Sequence, residues 1–175
     1  IKNAFEKISS QAVVSIDENI ISNADYVILP GVGSAQMVMQ SLISNNLVNV
    51  IKSLTQPVLG ICVGMQILFN SSEEQNCKCL GLINDDIKKF NLPKDKAVPH
   101  MGWNKVIFER EQLLSNYYYF ANSYYAPITK DTTSICEYGI EFSATVQKDN
   151  FFGCQFHPEK SSNSGIKFIQ NFLNY

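Results

Sequence analysis

Leu59-Gly60-Ile61-Cys62-Val63-Gly64-Met65-Gln66 decides how this chain folds. Upstream, Gln56-Pro57-Val58 makes a turn that feeds a short apolar run, the pattern of a buried strand. Downstream, Met65, Ile67, Leu68 and Phe69 continue as a helix, which Ser71-Ser72-Glu73-Glu74 closes. The join, Gly60-x-Cys62-x-Gly64, is a cysteine form of the strand-to-helix elbow written G-x-S-x-G. Such a bend strains the backbone of its central residue, and glycines on either side keep Cβ atoms out of the crowded turn. The thiol then lies at a helix N-terminus, where the macrodipole and unpaired N–H groups favour an anion. The N–H of Val63 points where an oxyanion would form. The bland alternative is a structural cysteine in a glycine-rich turn.

A nucleophile needs a base, and the chain has only two histidines, His100 and His157. His157 sits in Phe156-His157-Pro158-Glu159, directly after the strand-like run Phe151-Phe152-Gly153-Cys154-Gln155. A histidine at a strand end, then a proline that blocks helix, then a carboxylate, suits a base and the acid that orients it. Cys62, His157 and Glu159 would form a nucleophile–base–carboxylate triad. Taken singly, the histidine could be a polar loop residue and the glutamate a solvated one.

Four segments occur in this order: Leu29-Pro30-Gly31-Val32-Gly33, Gly60 to Gln66, Pro99-His100-Met101-Gly102-Trp103-Asn104, and Gln155-Phe156-His157-Pro158-Glu159-Lys160-Ser161. On these segments the chain resembles the class I (triad) glutamine amidotransferases over nearly its whole length. Within them it is most similar to the glutaminase subunits of imidazole glycerol phosphate synthases, which serve histidine biosynthesis; the segment from Pro99 to Asn104 separates these from most other class I glutaminases. The resemblance implies hydrolysis of L-glutamine without a cofactor, and a heterodimer with a synthase (cyclase) subunit that receives the ammonia. It implies substrate contacts at Gly31, Gln66, Glu74, Ser123 and Tyr124, with Glu74 facing the α-ammonium group. It places His100, Met101 and Trp103 near the junction with the partner, as anchors of an interface.

One departure stands out. The family usually has histidine where this chain has Asn122, close to the bound glutamine in relatives. Asn122 makes a paralogue a serious alternative, one supplying another synthase such as an enzyme amidating a nucleotide-linked surface sugar. A cysteine-dependent hydrolase of similar architecture and an inactive scaffold subunit are further alternatives; Gln66 with Glu74 argues against the first, and the intact Cys–His–Glu set against the second.

Composition agrees with an enzyme domain. At 175 residues and 45% hydrophobic, the chain can bury a substantial core in one domain, residues 1–175. A net charge of −2 without a basic block argues against nucleic acid. No apolar run approaches the ~18 residues of a membrane span, and the start shows no secretory pattern. Five cysteines without a disulfide-framework spacing suit a reducing cytoplasm, where Cys62 stays free. Cys77-x-Cys79 has no second ligand pair nearby, so no metal is expected.

The remaining elements follow in chain order. Asn3 to Ile8 reads as the end of an amphipathic helix with Ala4, Phe5 and Ile8 on one face. The family opens earlier, with an apolar strand and a glycine-containing turn, so this chain is expected to lack the first strand of the domain. Ala12 to Ser15 reads as a strand, Asn19 to Ala24 as a brief helix or turn, and Tyr26 to Leu29 as a strand. The Pro30–Gly33 loop that follows is the natural source of a second oxyanion donor, from Val32 or Gly33. Helices are expected over Ala35–Leu42 and Leu47–Leu54. Gln66, four residues past Cys62, shares its helical face, where its amide can donate to and accept from a ligand. Gly81–Phe90 reads as strand and turn, Asn91–Lys96 as a polar loop, and Pro99–Asn104 as a loop. Tyr117–Phe120, Ser134–Tyr138, Glu141–Gln147 and Phe151–Phe156 read as strands. Ser164–Leu173 reads as a helix buried through Ile166, Ile169, Phe172 and Leu173. The expected architecture is α/β, a mostly parallel central sheet flanked by helices with a smaller antiparallel extension, its site at the strands' carboxyl ends.

Overall fold

The computed structural model describes residues 1–6, 8, 11–94 and 96–175. Lys7, within the first expected helix, and Asp95, within the expected polar loop, lie outside the described residues. The first half alternates helix and strand: α1 (Lys2–Glu6), α2 (Glu18–Ser22), β1 (Val27–Leu29), α3 (Ala35–Ser44), α4 (Leu47–Ser53), β2 (Val58–Ile61) and α5 (Val63–Gln66). Short strands β3 (Ser71–Ser72), β4 (Cys77–Lys78) and β5 (Asp86–Lys89) follow. The second half holds β6 (His100–Phe108), β7 (Asn116–Asn122), β8 (Tyr124–Tyr125), β9 (Thr132–Glu137), β10 (Glu141–Lys148), β11 (Phe151–Cys154) and α6 (Ser162–Phe172). No helix among the described residues is long and apolar enough to cross a membrane.

The main sheet runs β1-β2-β11-β10-β9-β6-β7, and a smaller sheet runs β4-β3-β5-β8. The α/β class agrees with expectation; the separate smaller sheet was not foreseen. Parallel pairing is confined to β1, β2 and β11 at one end of the main sheet; β10, β9, β6 and β7 extend it in antiparallel fashion. The antiparallel part is thus larger than the sequence suggested. Chain connectivity explains it. A parallel neighbour needs a crossover of a dozen or more residues, and α3 with α4 supplies one between β1 and β2. Between β10 and β11 there is only the turn Asp149-Asn150, with Asp149 at φ 53°.

Several local readings change for physical reasons. Pro99–Asn104 is not a loop: from His100 the chain enters β6, paired with β7 from His100↔Asn122 to Val106↔Asn116. Glycine and asparagine there read as turn formers, but pairing with β7 along this stretch satisfies the backbone and overrides local preference. Ala12–Ser15 forms no strand: Val13 and Val14 are exposed, and β1 ends the sheet. The helix after the elbow is a single turn. Past Gln66 the carbonyls of Ile67, Leu68 and Phe69 accept from the amides of Leu80 to Ile83, so the chain leaves the helix into buried loop contacts. Ser71-Ser72 consequently opens a strand rather than closing a helix. In α6 the buried stripe is Gly165, Phe168, Ile169 and Phe172, while Ile166 is 43% exposed.

Two helix starts, α2 and α3, are set by side-chain caps. Asp17 accepts from the amides of Asn19 and Ile20 at α2, and Ser34 accepts from Met37 at α3. The core of the antiparallel half is aromatic: Tyr118 stacks on Phe156 with centroids 4.1 Å apart, and Phe120 and Phe142 pack edge to face.

Candidate active site

Three adjacent parallel strands deliver the site. Register pairs Leu29 with Gly60 and Ile61 with Cys154, so β1, β2 and β11 end at the same level. The loop 30–33 leaves β1, Cys62 leaves β2, and Gln155 to Glu159 leave β11. This is the carboxyl edge of the parallel segment, where open α/β sheets place their sites.

Cys62 has φ 53° and ψ −109°, a conformation that residues with a Cβ rarely adopt. It is held there from both sides: its N–H donates to the Cys154 carbonyl at 2.7 Å, and its carbonyl accepts from Met65 and Gln66 at 3.0 and 3.1 Å. The glycines permit the bend by lacking Cβ atoms. A Cβ on Gly60 would collide with the backbone of Gly64, and one on Gly64 with the carbonyl of Leu29. Gly31 presses on the same elbow, where a Cβ would strike the Ile61 carbonyl and the Val63 amide nitrogen. Loop 30–33 and the elbow are therefore one packed unit. Gly31→Ala should lower unfolding stability by about 1–3 kcal/mol, the range of an overpacked core site, measured by urea titration; a wild-type midpoint would mean that the loop is not seated on the elbow.

His157 leaves β11 with its N–H bonded to the Tyr119 carbonyl at 2.8 Å. Its Nδ1 lies 2.9 Å from Glu159 Oε1, which leaves Nε2 as the ring nitrogen open to the neighbouring Cys62 sulfur. The 3-10 turn Pro158–Lys160 brings Glu159 back beneath the ring. Ser161 locks this turn, its hydroxyl donating to the His157 carbonyl at 2.7 Å and accepting from the Tyr119 amide at 2.9 Å. Burial alone would push the imidazole down, but the Cys62 sulfur and the Glu159 carboxylate beside it more than reverse this and raise it to about 9. Burial likewise would raise the Glu159 carboxyl, and the imidazole bond and charge turn that into a net lowering.

The other expected contacts divide. Gln66 is buried on the elbow helix, but its amide nitrogen donates to the Tyr124 carbonyl at 3.1 Å and to Gln155 Oε1 at 3.0 Å. Both N–H groups are thus spent inside the protein, and only its oxygen remains to meet a ligand, as an acceptor. Glu74 Oε2 accepts from the Ala35 amide at 2.8 Å, so this carboxylate caps α3 beside loop 30–33. Ser123 and Tyr124 lie where β7 passes into β8, with the Ser123 carbonyl accepting from Phe90. Val32 is 73% exposed, and Gly33 adopts φ 87°. Asn122 is buried and donates to the same Tyr124 carbonyl at 2.8 Å.

His100 is buried rather than presented at a surface. It is 3% exposed and sandwiched between Tyr138 and Phe120, with centroids 3.9 and 4.8 Å away. Burial first, and then the charge of Lys96, push it down to about 4, so it stays neutral. Met101 and Trp103 on the same strand are 65% and 51% exposed. Alternation explains the split: within β6, residues 100 and 101 point to opposite faces. Cys77 and Cys79 are buried, and their thiols bond to the carbonyls of Lys78 and Cys77. Among the described residues all five cysteines are free, and no group of three or more His, Cys, Asp or Glu could hold a metal. One site residue escaped sequence reasoning. Gln155, fully buried, reaches Cys62 Sγ at 3.6 Å, and the signal was its spacing of two from His157 on one strand end.

A family model for glutamine amidotransferase class-I matches residues 1–174. The chain belongs to the class I glutamine amidotransferases. Among curated class I relatives, the chain is 44% identical to "Imidazole glycerol phosphate synthase subunit HisH" of Shewanella sediminis (strain HAW-EB3), over 99% of this chain and 84% of the relative. The proteins of the same name are 43% identical in Bacteroides fragilis, over 97% and 90%, and 44% in Escherichia coli (strain K12), over 99% and 91%. Among solved structures, a glutamine amidotransferase superposes with TM-score 0.77 at 13% identity, over 99% of this chain and 90% of that one. A glutamine amidotransferase from Thermotoga maritima gives 0.55 at 15%, over 86% and 63%. At such identities these structures speak for the fold alone. As a class I amidotransferase, the chain is a glutamine-hydrolysing enzyme.

Proposed function

We propose that this chain is the glutaminase subunit of an imidazole glycerol phosphate synthase, hydrolysing L-glutamine and passing ammonia to a synthase (cyclase) subunit bound as a heterodimer in the cytoplasm. The observation that carries the chemistry is the meeting of Cys62, on its strained elbow, with the His157–Glu159 pair from the neighbouring strand end. The pathway rests on the names of the relatives.

Cys62 as thiolate attacks the carboxamide carbon, and the carbonyl electrons move onto oxygen. The amide N–H of Val63, and those of Val32 or Gly33 in the adjoining loop, receive that charge. The raised His157 is protonated at neutral pH, ready to give its Nε2 proton to the departing nitrogen. The tetrahedral species collapses to a γ-glutamyl thioester and ammonia. Neutral His157 then takes a proton from water, the hydroxide adds to the thioester carbon, and the thiolate leaves with glutamate as product. Glu159 keeps Nδ1 occupied, so that Nε2 always faces the reacting atoms. In this reading Gln66 Oε1, Glu74, Ser123, Tyr124 and the Gly31 backbone are the groups that contact the substrate.

A docking face for the synthase lies on β6 and β7. Met101, Trp103 and Tyr117 are exposed there, the indole meets Tyr119 edge-on at 6.3 Å, and Lys160 Nζ lies 5.7 Å over the Tyr119 ring. Lys160 follows Glu159 directly, so a partner pressing on this face touches the triad's own turn. Trp103→Ala should weaken synthase binding about thirtyfold, the loss of ~2 kcal/mol typical of a hot-spot tryptophan. It should also uncouple glutamate release from aminated product. Titrating the complex and comparing the two products tests both; unchanged affinity with one-to-one coupling would remove this face from the proposal.

Asn122 favours a second reading, a glutaminase serving a different synthase. Replacing it with histidine and measuring glutamine turnover with the cyclase subunit separates the two. Poor turnover in the natural chain that histidine restores would support the paralogue.

A further inference from the structure

The buried amide of Gln155 belongs to no step described so far, yet it faces the nucleophile. We propose that Gln155 is a positioning residue that presents a hydrogen-bond donor to Cys62 Sγ, its orientation dictated by a relay from the Tyr124 carbonyl through Gln66. This deepens the proposed function, because it rests on Cys62 being the nucleophile.

An amide side chain can be turned either way, and only its partners decide which end points where. The Tyr124 carbonyl can only accept, so it fixes the Gln66 nitrogen at 3.1 Å. That nitrogen, a donor, fixes Gln155 Oε1 at 3.0 Å. Gln155 Nε2 is then left facing Cys62 Sγ at 3.6 Å. One backbone carbonyl thereby sets two amides and ensures that the sulfur meets an N–H and never a carbonyl oxygen. Both glutamines are buried, 2% and 0% exposed, so no water competes for these bonds. A donor so placed favours the thiolate over the thiol and aims its lone pairs. Asn122 Nδ2 donates to the same Tyr124 carbonyl at 2.8 Å, so the relay's anchor is itself held by the residue that differs from the family's usual histidine.

The test reads the sulfur rather than turnover. Iodoacetamide reacts with thiolate; burial pushes up the thiols of Cys77, Cys79, Cys136 and Cys154, and mass mapping of the alkylated peptide reads Cys62 separately from them. The titratable groups facing that sulfur are His157, with Glu159 behind it, and Cys154. In the full chain, Gln155→Met should move the midpoint of the alkylation–pH profile up by about one unit, the worth of a hydrogen bond to a charged group. Gln155→Glu, which keeps the bond from Gln66 and turns an acceptor toward the sulfur, should move it further. A purely structural glutamine would lower the melting temperature and leave both midpoints in place, and that outcome overturns the proposal. Should a variant fail to fold, the wild-type chain still decides: the Gln155 side-chain amide resonance should titrate with the alkylation midpoint, and a resonance indifferent to pH refutes the contact. If midpoints shift but glutamine is not hydrolysed by the wild type, the functional reading fails while the relay stands.

Discussion

Cys62→Ala is expected to abolish glutamine hydrolysis, by about 10⁴-fold or more, while the chain keeps its fold and its affinity for the synthase subunit. The size follows from removing the only atom that can form the thioester; deleting a covalent nucleophile leaves just the background from binding and polar stabilisation. The retained fold follows from the elbow's backbone bonds, which do not involve the sulfur. A second variant makes the expectation sharper. At φ 53° and ψ −109°, any residue with a Cβ is strained, at a cost of about 1–3 kcal/mol. Cys62→Gly should therefore be as inactive as Cys62→Ala and yet melt at a higher temperature. Glutamate release and thermal unfolding measure the two halves. Substantial activity in either variant would dismantle the triad, and a glycine variant melting below the alanine one would mean a relaxed elbow in solution.

His157→Ala should cost about 10³-fold in turnover, within the usual yield of a positioned acid–base group. His100→Ala should lower the melting temperature, since it empties a slot between two aromatic rings, but leave turnover within several-fold. The reverse ranking would show the base to be misassigned. The same imidazole governs pH dependence. His157 is raised from 6.5 to about 9 in the folded chain. Its stabilising contribution is therefore complete below about pH 6.5 and is lost as pH rises through 9. Glu159 is lowered, so its contribution is present above its ordinary value near 4.5 and is lost as pH falls further. The pair stabilises most between these limits. With side chains only 10% and 13% exposed, Glu159→Gln should cost about 1–2 kcal/mol near pH 6 and much less at pH 10. Urea unfolding at the two pH values checks this; a cost independent of pH would mean that the pair is not ionised in the native state.

The chemistry was legible before the fold because its parts are local. A strained elbow must be written with glycines around one nucleophile, and His157, Pro158 and Glu159 lie within one turn, so Cys62, His157 and Glu159 can be named from adjacency alone. The strands that carry them could also be read, since β1, β2 and β11 are short apolar runs with punctuated ends. Pairing and facing could not. Whether Pro99 to Asn104 was loop or strand depended on β7 arriving beside it, and that pairing also sent His100 inward while Met101 and Trp103 faced out. The elbow helix stopped after one turn because residues 80–83 claimed its carbonyls, a contact between segments far apart in sequence. Gln66 was visible as a polar residue on the nucleophile's face. That both its N–H groups are consumed by Tyr124 and Gln155, which turns Gln155 toward the sulfur, required all three strand ends to be assembled. Local sequence determined which groups stand at the elbow and at the strand end beside it, because backbone geometry and residue type act over a few bonds. Tertiary structure alone decided which way each buried polar group points, because a hydrogen bond is set by its partner, and here the partners come from elsewhere in the chain.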